Sequence, residues 1–288
     1  MQRNKILDMD TVILEESVKT KKKKKKRLRY FEPQKPIPKS LYFKLTMSSF
    51  ILLLGIWSLL TYTNIVDALF LPTPTSIITS GITLFTQFNF INDIFVTFSR
   101  VLVGFGLALL IGVPLGIFVG SYKVVEAFFE PIISFVRYMP VSAFIPLFIL
   151  WIGVGELEKI SVIFFGSIFS IVLMVAVEVS GVRRELLEAA YTLGSSNIGV
   201  LRSVILPASM PGILDAIRLV LGWAWSYIIV AELIATASGI GSVIIESQRM
   251  FRIGNIIFGI LTIGMLGLLS DLILKFFGKK MFSWNYGR

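Results

Sequence analysis

Neither histidine nor cysteine occurs among the 288 residues. That removes His- and Cys-based catalysis, zinc sites of the usual ligand types and disulfides. The chemistry left belongs to carboxylates, cationic side chains and hydroxyls. The informative ones lie inside apolar sequence: Arg137, Glu178, Asp215, Arg218, Glu232 and Asp271. A charge at membrane depth is costly, so it pairs, lines a path or snorkels to an edge. Asp215 and Arg218 stand three apart and can pair on one helical face. Glu178 and Asp271 fall near span ends, where snorkelling or an ion pair accounts for them. Arg137 fits a structural pair and a pathway residue equally. Glu232 reads first as structural and second as pathway-lining. Trp223 and Trp225 lie within a span; packing is the default for both, and Trp223 is also a pathway candidate. No nucleophile–base set is visible, which places an intramembrane enzyme last. No G-x-x-x-x-G-K-S/T phosphate loop occurs, so no ATP site and no resident cofactor or metal is expected in this chain.

These side chains must be positioned by a chain that is 55% hydrophobic and only 16% charged, with mean hydropathy +0.80. A soluble domain carries about 25% charged residues. A bilayer core needs about 20 apolar residues per helix. Six stretches qualify: about 42–62, 95–120, 128–151, 160–180, 213–235 and 255–277. The expected fold is an all-α membrane protein of six transmembrane helices over 42–288. Residues 1–41 form a basic arm, with Lys21 to Lys26, Arg27 and Arg29, and a linker stiffened by Pro33, Pro36 and Pro38. Like charges repel and proline fixes φ, so this arm is expected to be extended and disordered. It reads first as a positive-inside signal and second as a lipid-contacting segment; no nucleic-acid partner is expected. Both termini are then cytoplasmic. Arg249 and Arg252 fall in an outer segment, 236–254, against that rule; this segment is expected to dip back into the protein.

Local patterns refine this picture. Gly104, Ala108, Gly112, Gly116 and Gly120 recur every four residues and make a smooth seam. It serves intramolecular packing or, alternatively, sliding during a transport cycle. The outer stretch 71–93 is expected to hold a short surface helix. Between the fourth and fifth spans, 183–212 reads as helix, glycine, helix. Glu188, Ala189 and Ala190 favour the first helix. Gly194 supplies the turn, and Ser195, Ser196 and Asn197 offer caps to the second. Pro207 and Pro211 are expected to end that second helix. A projecting knob of this kind calls for a grooved partner.

"EAAYTLG", followed by "LPASMP", resembles the EAA loop of binding-protein-dependent ABC importer permeases of the type I importer fold. The resemblance extends to "LPTPTSI", "SRVLVGFGLALLIGVPLGIFVG", "VRYMPVSAFIPLFILWIGVGELEKI" and "AELIATASGIGSVI", covering about 65–286. It is nearest to the nitrate, sulfonate, taurine and bicarbonate subgroup. It implies coupling helices that dock into two separate ATPase subunits, which hold the ATP and Mg. Glu188, Ala189, Ala190, Gly194, Ser195, Leu206 and Pro207 fall on that loop; Ser195 stands where the family often has alanine. It also implies a second copy of the chain, an extracytoplasmic solute-binding protein and a bacterial-type inner membrane. For cargo the expectation is a small oxyanion, with Arg137, Trp223, Glu232, Arg249 and Arg252 as pathway candidates. Alternatives are a channel or secondary transporter without ATPases, or a permease for a vitamin-precursor heterocycle.

Overall fold

The computed structural model describes residues 37–234 and 237–286. The expected basic arm lies, up to residue 36, outside the described residues. Every regular element among them is helical. The chain divides into two units at Ile65. The first contains α1 (Lys39–Tyr62), a 24-residue apolar helix long enough to cross a bilayer.

The second unit begins with α2 (Pro74–Gln87), which starts at Thr73, whose hydroxyl caps the Ser76 amide. Then follow α3 (Phe90–Ser121), α4 (Lys123–Arg137), a 3₁₀ turn (Val141–Phe144), α5 (Ile145–Ile152) and α6 (Glu156–Ser180). After α6 come α7 (Arg184–Thr192), α8 (Asn197–Val200), a π turn (Leu201–Ile205) and α9 (Leu206–Ile234). The unit closes with α10 (Ile240–Arg249), α11 (Ile253–Met281) and the short α12 (Ser283–Tyr286). Helices are the expected solution, because backbone polar groups in hydrocarbon must be satisfied within the segment.

The glycine seam of α3 packs within the molecule. A Cβ at Gly104 would lie 2.8 Å from Ile163 Cβ, one at Gly112 2.9 Å from Ile171, and one at Gly116 2.7 Å from Val175. At Gly120 it would lie 2.5 Å from the Ala176 carbonyl oxygen. The β-branched row of α6 therefore beds directly on the α3 backbone. Partners advance together along both chains, so α3 and α6 run in the same direction. A parallel pair requires a return crossing between them. The segment from Lys123 to Ile152 makes it.

That return differs from the continuous third span expected over 128–151. It is broken at 138–140 and bends by 85°. Pro140 has no amide hydrogen to donate and disfavours helical φ/ψ at Met139. The gap between the expected spans 95–120 and 128–151 is likewise reduced to one residue, Tyr122, between two helices. Five helices plus this bent pair make up to six spans.

Helix α9 runs antiparallel to α6: Tyr227 covers Gly166, and Glu178 covers Gly212. It does not stop at the prolines. Asn197–Ile234 is one apolar stretch of 38 residues. The expected separate helix ending at Pro207 is instead continuous with the fifth span. The π turn at 201–205 widens the helix just before Pro207, and a bulge of this kind absorbs a proline that a regular turn would reject. Helix α11 returns beside α9, and Phe258 packs on Gly81 of α2. The Phe85, Phe90 and Phe258 rings, 5.4–6.0 Å apart, join α2, α3 and α11.

Candidate functional site

At one end of the bundle, α10 starts inside the protein. Its leading amides have no carbonyl one turn earlier. Side chains from other helices supply the acceptors. Gly239 N donates to Asp93 Oδ1 (2.8 Å), Ile240 N to Thr97 Oγ1 (2.9 Å) and Gly241 N to Glu232 Oε2 (2.8 Å). The Glu232 carboxylate therefore lies on the positive end of α10, the stabilising polarity. Arg100 closes the cluster. Its Nη1 donates to Glu232 Oε1 (2.7 Å) and to Ser238 O (2.9 Å). Its Nε and Nη2 grip both oxygens of Glu156 at 2.6 and 2.5 Å. Arg100 and Glu232 are 2% and 1% exposed. The cluster ties α3, α6, α9 and α10 together. Beside it, the buried Lys159 donates to Gly155 O and faces Glu158.

Glu232, expected as structural or pathway-lining, thus lies in this buried cluster and lines neither mid-bundle cleft described below. Arg100 was not among the expected residues. The signal was available: it is the only Lys or Arg in the 95–120 stretch, and the rule that singles out Arg137 covers it equally. The 236–254 segment does dip back, as α10, with Ile240 to Ile244 buried.

A second charge cluster lies toward the other end. Arg218 binds Asp271 through Nε (2.8 Å) and Nη2 (3.1 Å), and Asp215 through Nη1 (2.6 Å). The expected Asp215–Arg218 pair is present and has gained Asp271. Asp271 is 37% exposed, so Asp271→Ala should cost only about 1 kcal/mol or less. A larger drop in the unfolding midpoint would show that the pair is better shielded than its exposure indicates.

Arg137 ends α4 at the break. Its guanidinium carbon lies 4.9 Å from the centre of the Tyr138 ring. It lines a cleft of about 260 Å³ together with Tyr138, Gly166, Ser170 and Tyr227. Trp223 is exposed one turn before Tyr227 on α9. Trp225 is buried and packs near Gly267 and Phe98. Arg249 and Arg252 are elsewhere: Arg249 ends α10, and Arg252 sits over the Phe88 ring at the α2–α3 junction. The candidates therefore divide into three places.

The knob lies at the opposite end from the Arg100 cluster, since α6 leaves that cluster and α9 returns to it. Helix α7 ends in a tight reversal: Ser195 N donates to Ala190 O and Gly194 N to Tyr191 O. This pattern needs a left-handed residue after the helix, and Gly194 has φ +82°. Ser196 caps α8 by accepting from Gly199 N. Ala190 is buried, whereas Glu188 and Ala189 face out, Glu188 pairing with Arg184 at 3.1 Å. Leu206 is half-buried and Pro207 exposed where the knob joins α9. Leu193 and Ile198 are 85% and 60% exposed.

Long apolar helices held by small-residue seams and buried charge clusters, with a knob at one end, define a multi-pass membrane protein. The chain belongs to the family of binding-protein-dependent transport system inner membrane components, whose model matches residues 112–283. A Brucella abortus protein named as a probable ABC transporter permease is 37% identical over 241 residues, covering 84% of this chain and 95% of that one. The taurine transport system permease TauC of Escherichia coli is 28% identical, covering 86% and 92%. The nitrate import permease NrtB of Synechocystis is 30% identical, covering 64% and 67%. Among solved structures, a chain of the inward-facing MetNI methionine ABC transporter aligns with TM-score 0.54 at 20% identity, covering 68% of this chain and 95% of that one. That likeness concerns the fold alone.

Proposed function

We propose that this chain is the membrane subunit of an ATP-driven importer for a small oxyanion of the nitrate, bicarbonate, sulfonate or taurine class. The observation that carries the reading is the knob at 184–205. It presents exposed leucine and isoleucine side chains, held by a reversal that ordinary residues resist. An apolar knob on a polar face is the shape of a docking element. Two ATPase subunits would receive two knobs, one from each copy of the chain, and a solute-binding protein would deliver cargo to the other face. ATP binding then brings the knobs together. The seam-packed helices follow as near-rigid bodies, and the cavity between the copies opens outward. Glu188 and Ala189, on the outer side of α7, are placed to meet the ATPase. The oxyanion class comes from the relatives' names and from the cationic cleft.

The test is Gly194→Val. A Cβ there meets nothing within 4 Å, so crowding is not the issue. The left-handed conformation is, at about 1–2 kcal/mol. The variant should insert normally, pull down less ATPase and lose most solute uptake. Normal ATPase recovery and normal uptake would sink the docking assignment.

A further inference from the structure

Arg100 in α3 and Arg218 in α9 each hold two carboxylates. Arg137 holds none among the described residues. Its one polar contact is Nη2 to the Tyr138 hydroxyl at 3.4 Å, which is too long to spend much of a guanidinium. The cleft it lines sits against Gly166 and Ser170, near the middle of the 25-residue α6. A second cleft of about 250 Å³ adjoins it, sharing Val141 and Tyr227 and adding Ser142 and Ser226. The side-chain oxygens of Ser142, Ser170, Ser226 and Tyr227 make no hydrogen bond among the described residues. No acidic residue lines either cleft. The 85° break also turns the start of the 141–152 half-helix toward this space, through Pro140 and Val141. The start of a helix carries positive partial charge.

We infer that this cleft, built on Arg137 with the hydroxyls of Tyr227 and the flanking serines, is a binding site for one compact oxyanion on the permease itself. It deepens the importer reading and rests on it for the identity of the cargo. An unpaired guanidinium at membrane depth is expensive unless an anion or water completes it. A guanidinium fork with O–H donors lining the same and the adjoining cleft matches the planar or tetrahedral head of nitrate, bicarbonate or a sulfonate. An uncharged heterocycle can accept from these donors but leaves the guanidinium charge uncompensated. The two adjoining clefts, about 260 and 250 Å³, give room for a small head plus a short tail. Each subunit would then take the anion from the binding protein's side and hold it halfway.

The test uses the complex purified from its own membrane and placed in lipid nanodiscs without a binding protein. Equilibrium dialysis with radiolabelled methanesulfonate measures the site, with unlabelled nitrate and uracil as competitors. The wild type should bind saturably, nitrate should compete, and uracil should not. Arg137→Gln should weaken binding about tenfold or more, the size of a lost charged hydrogen bond. Arg137→Lys should recover part of it. Tyr227→Phe, which removes only a hydroxyl, should weaken binding about threefold. No saturable binding by the wild type, or unchanged binding in Arg137→Gln, would overturn the inference. Displacement by uracil as readily as by nitrate would do the same. Uptake in proteoliposomes supplied with ATP and binding protein separates the two readings. Oxyanion uptake without Arg137-dependent binding defeats this site alone. Arg137-dependent binding with no ATP-dependent oxyanion uptake defeats the importer reading and leaves the site standing.

Discussion

Arg100→Leu should lower the stability of the purified protein by about 3–5 kcal/mol, the cost of breaking a buried ion pair from one side. The reason is the company Glu232 keeps. Its side chain is fully buried, and Arg100 is its only cationic partner among the described residues. With leucine at 100, the carboxylate keeps Thr97 and the Gly241 amide but no counter-charge. The carbonyl and hydroxyl of Ser238 also lose Arg100 as a donor. Glu232→Gln should cost less. An amide oxygen can still accept from Gly241 N, and Arg100 retains the half-exposed Glu156. Replacing both Arg100 and Glu232 by leucine should recover part of the loss, because no lone charge remains. It cannot recover all of it, since Gly241 N would be left without an acceptor. The measurement is the thermal midpoint in detergent, together with the amount of inserted protein. An Arg100→Leu variant as stable as wild type would mean that water reaches this cluster.

Gly120→Ala should destabilise the α3–α6 pair by about 1–3 kcal/mol. The new Cβ would meet the Ala176 carbonyl oxygen at 2.5 Å and the Ala176 Cα at 2.9 Å. Both are backbone atoms of a helix, and neither can rotate aside. Gly106→Ala, two turns after Ser99 on the same helix, is the control. Nothing lies within 4 Å of its Cβ, and alanine is the better helix former by about 0.5–1 kcal/mol. The two substitutions add the same methyl group and should move the midpoint in opposite directions. If both move it alike, the parallel packing of α3 on α6 is wrong, and the seam must face another surface.

Much of the architecture was legible because membrane helices announce themselves. Runs of about 20 apolar residues have one structural solution in hydrocarbon, and four of the six expected spans correspond to single long helices of the second unit. The four-residue glycine rhythm pointed to a close helix contact, and the helix–glycine–helix knob followed from local rules. Gly194 and Ser196 do what the backbone at those positions requires, whatever surrounds them. Asp215 and Arg218 paired because three residues apart on a helix is a contact by construction.

Elsewhere local rules misled or fell silent. Proline was read as a stop at 207, yet the π turn carries the helix through it. A widened turn depends on what α9 must reach at its far end. Proline at 140 breaks the third span outright, with no widened turn before it. The network of Asp93, Arg100, Glu156, Glu232 and Gly239 joins residues up to 146 positions apart; no periodicity connects them. What the sequence by itself determined is which segments enter the membrane and the local shape of the knob, because solvation and backbone preference act residue by residue. Tertiary structure decided which charges far apart in the chain are spent on one another and which, like Arg137, are left facing open space. Pairing is a matter of distance in three dimensions, and a chain of 288 residues does not carry that distance in its order.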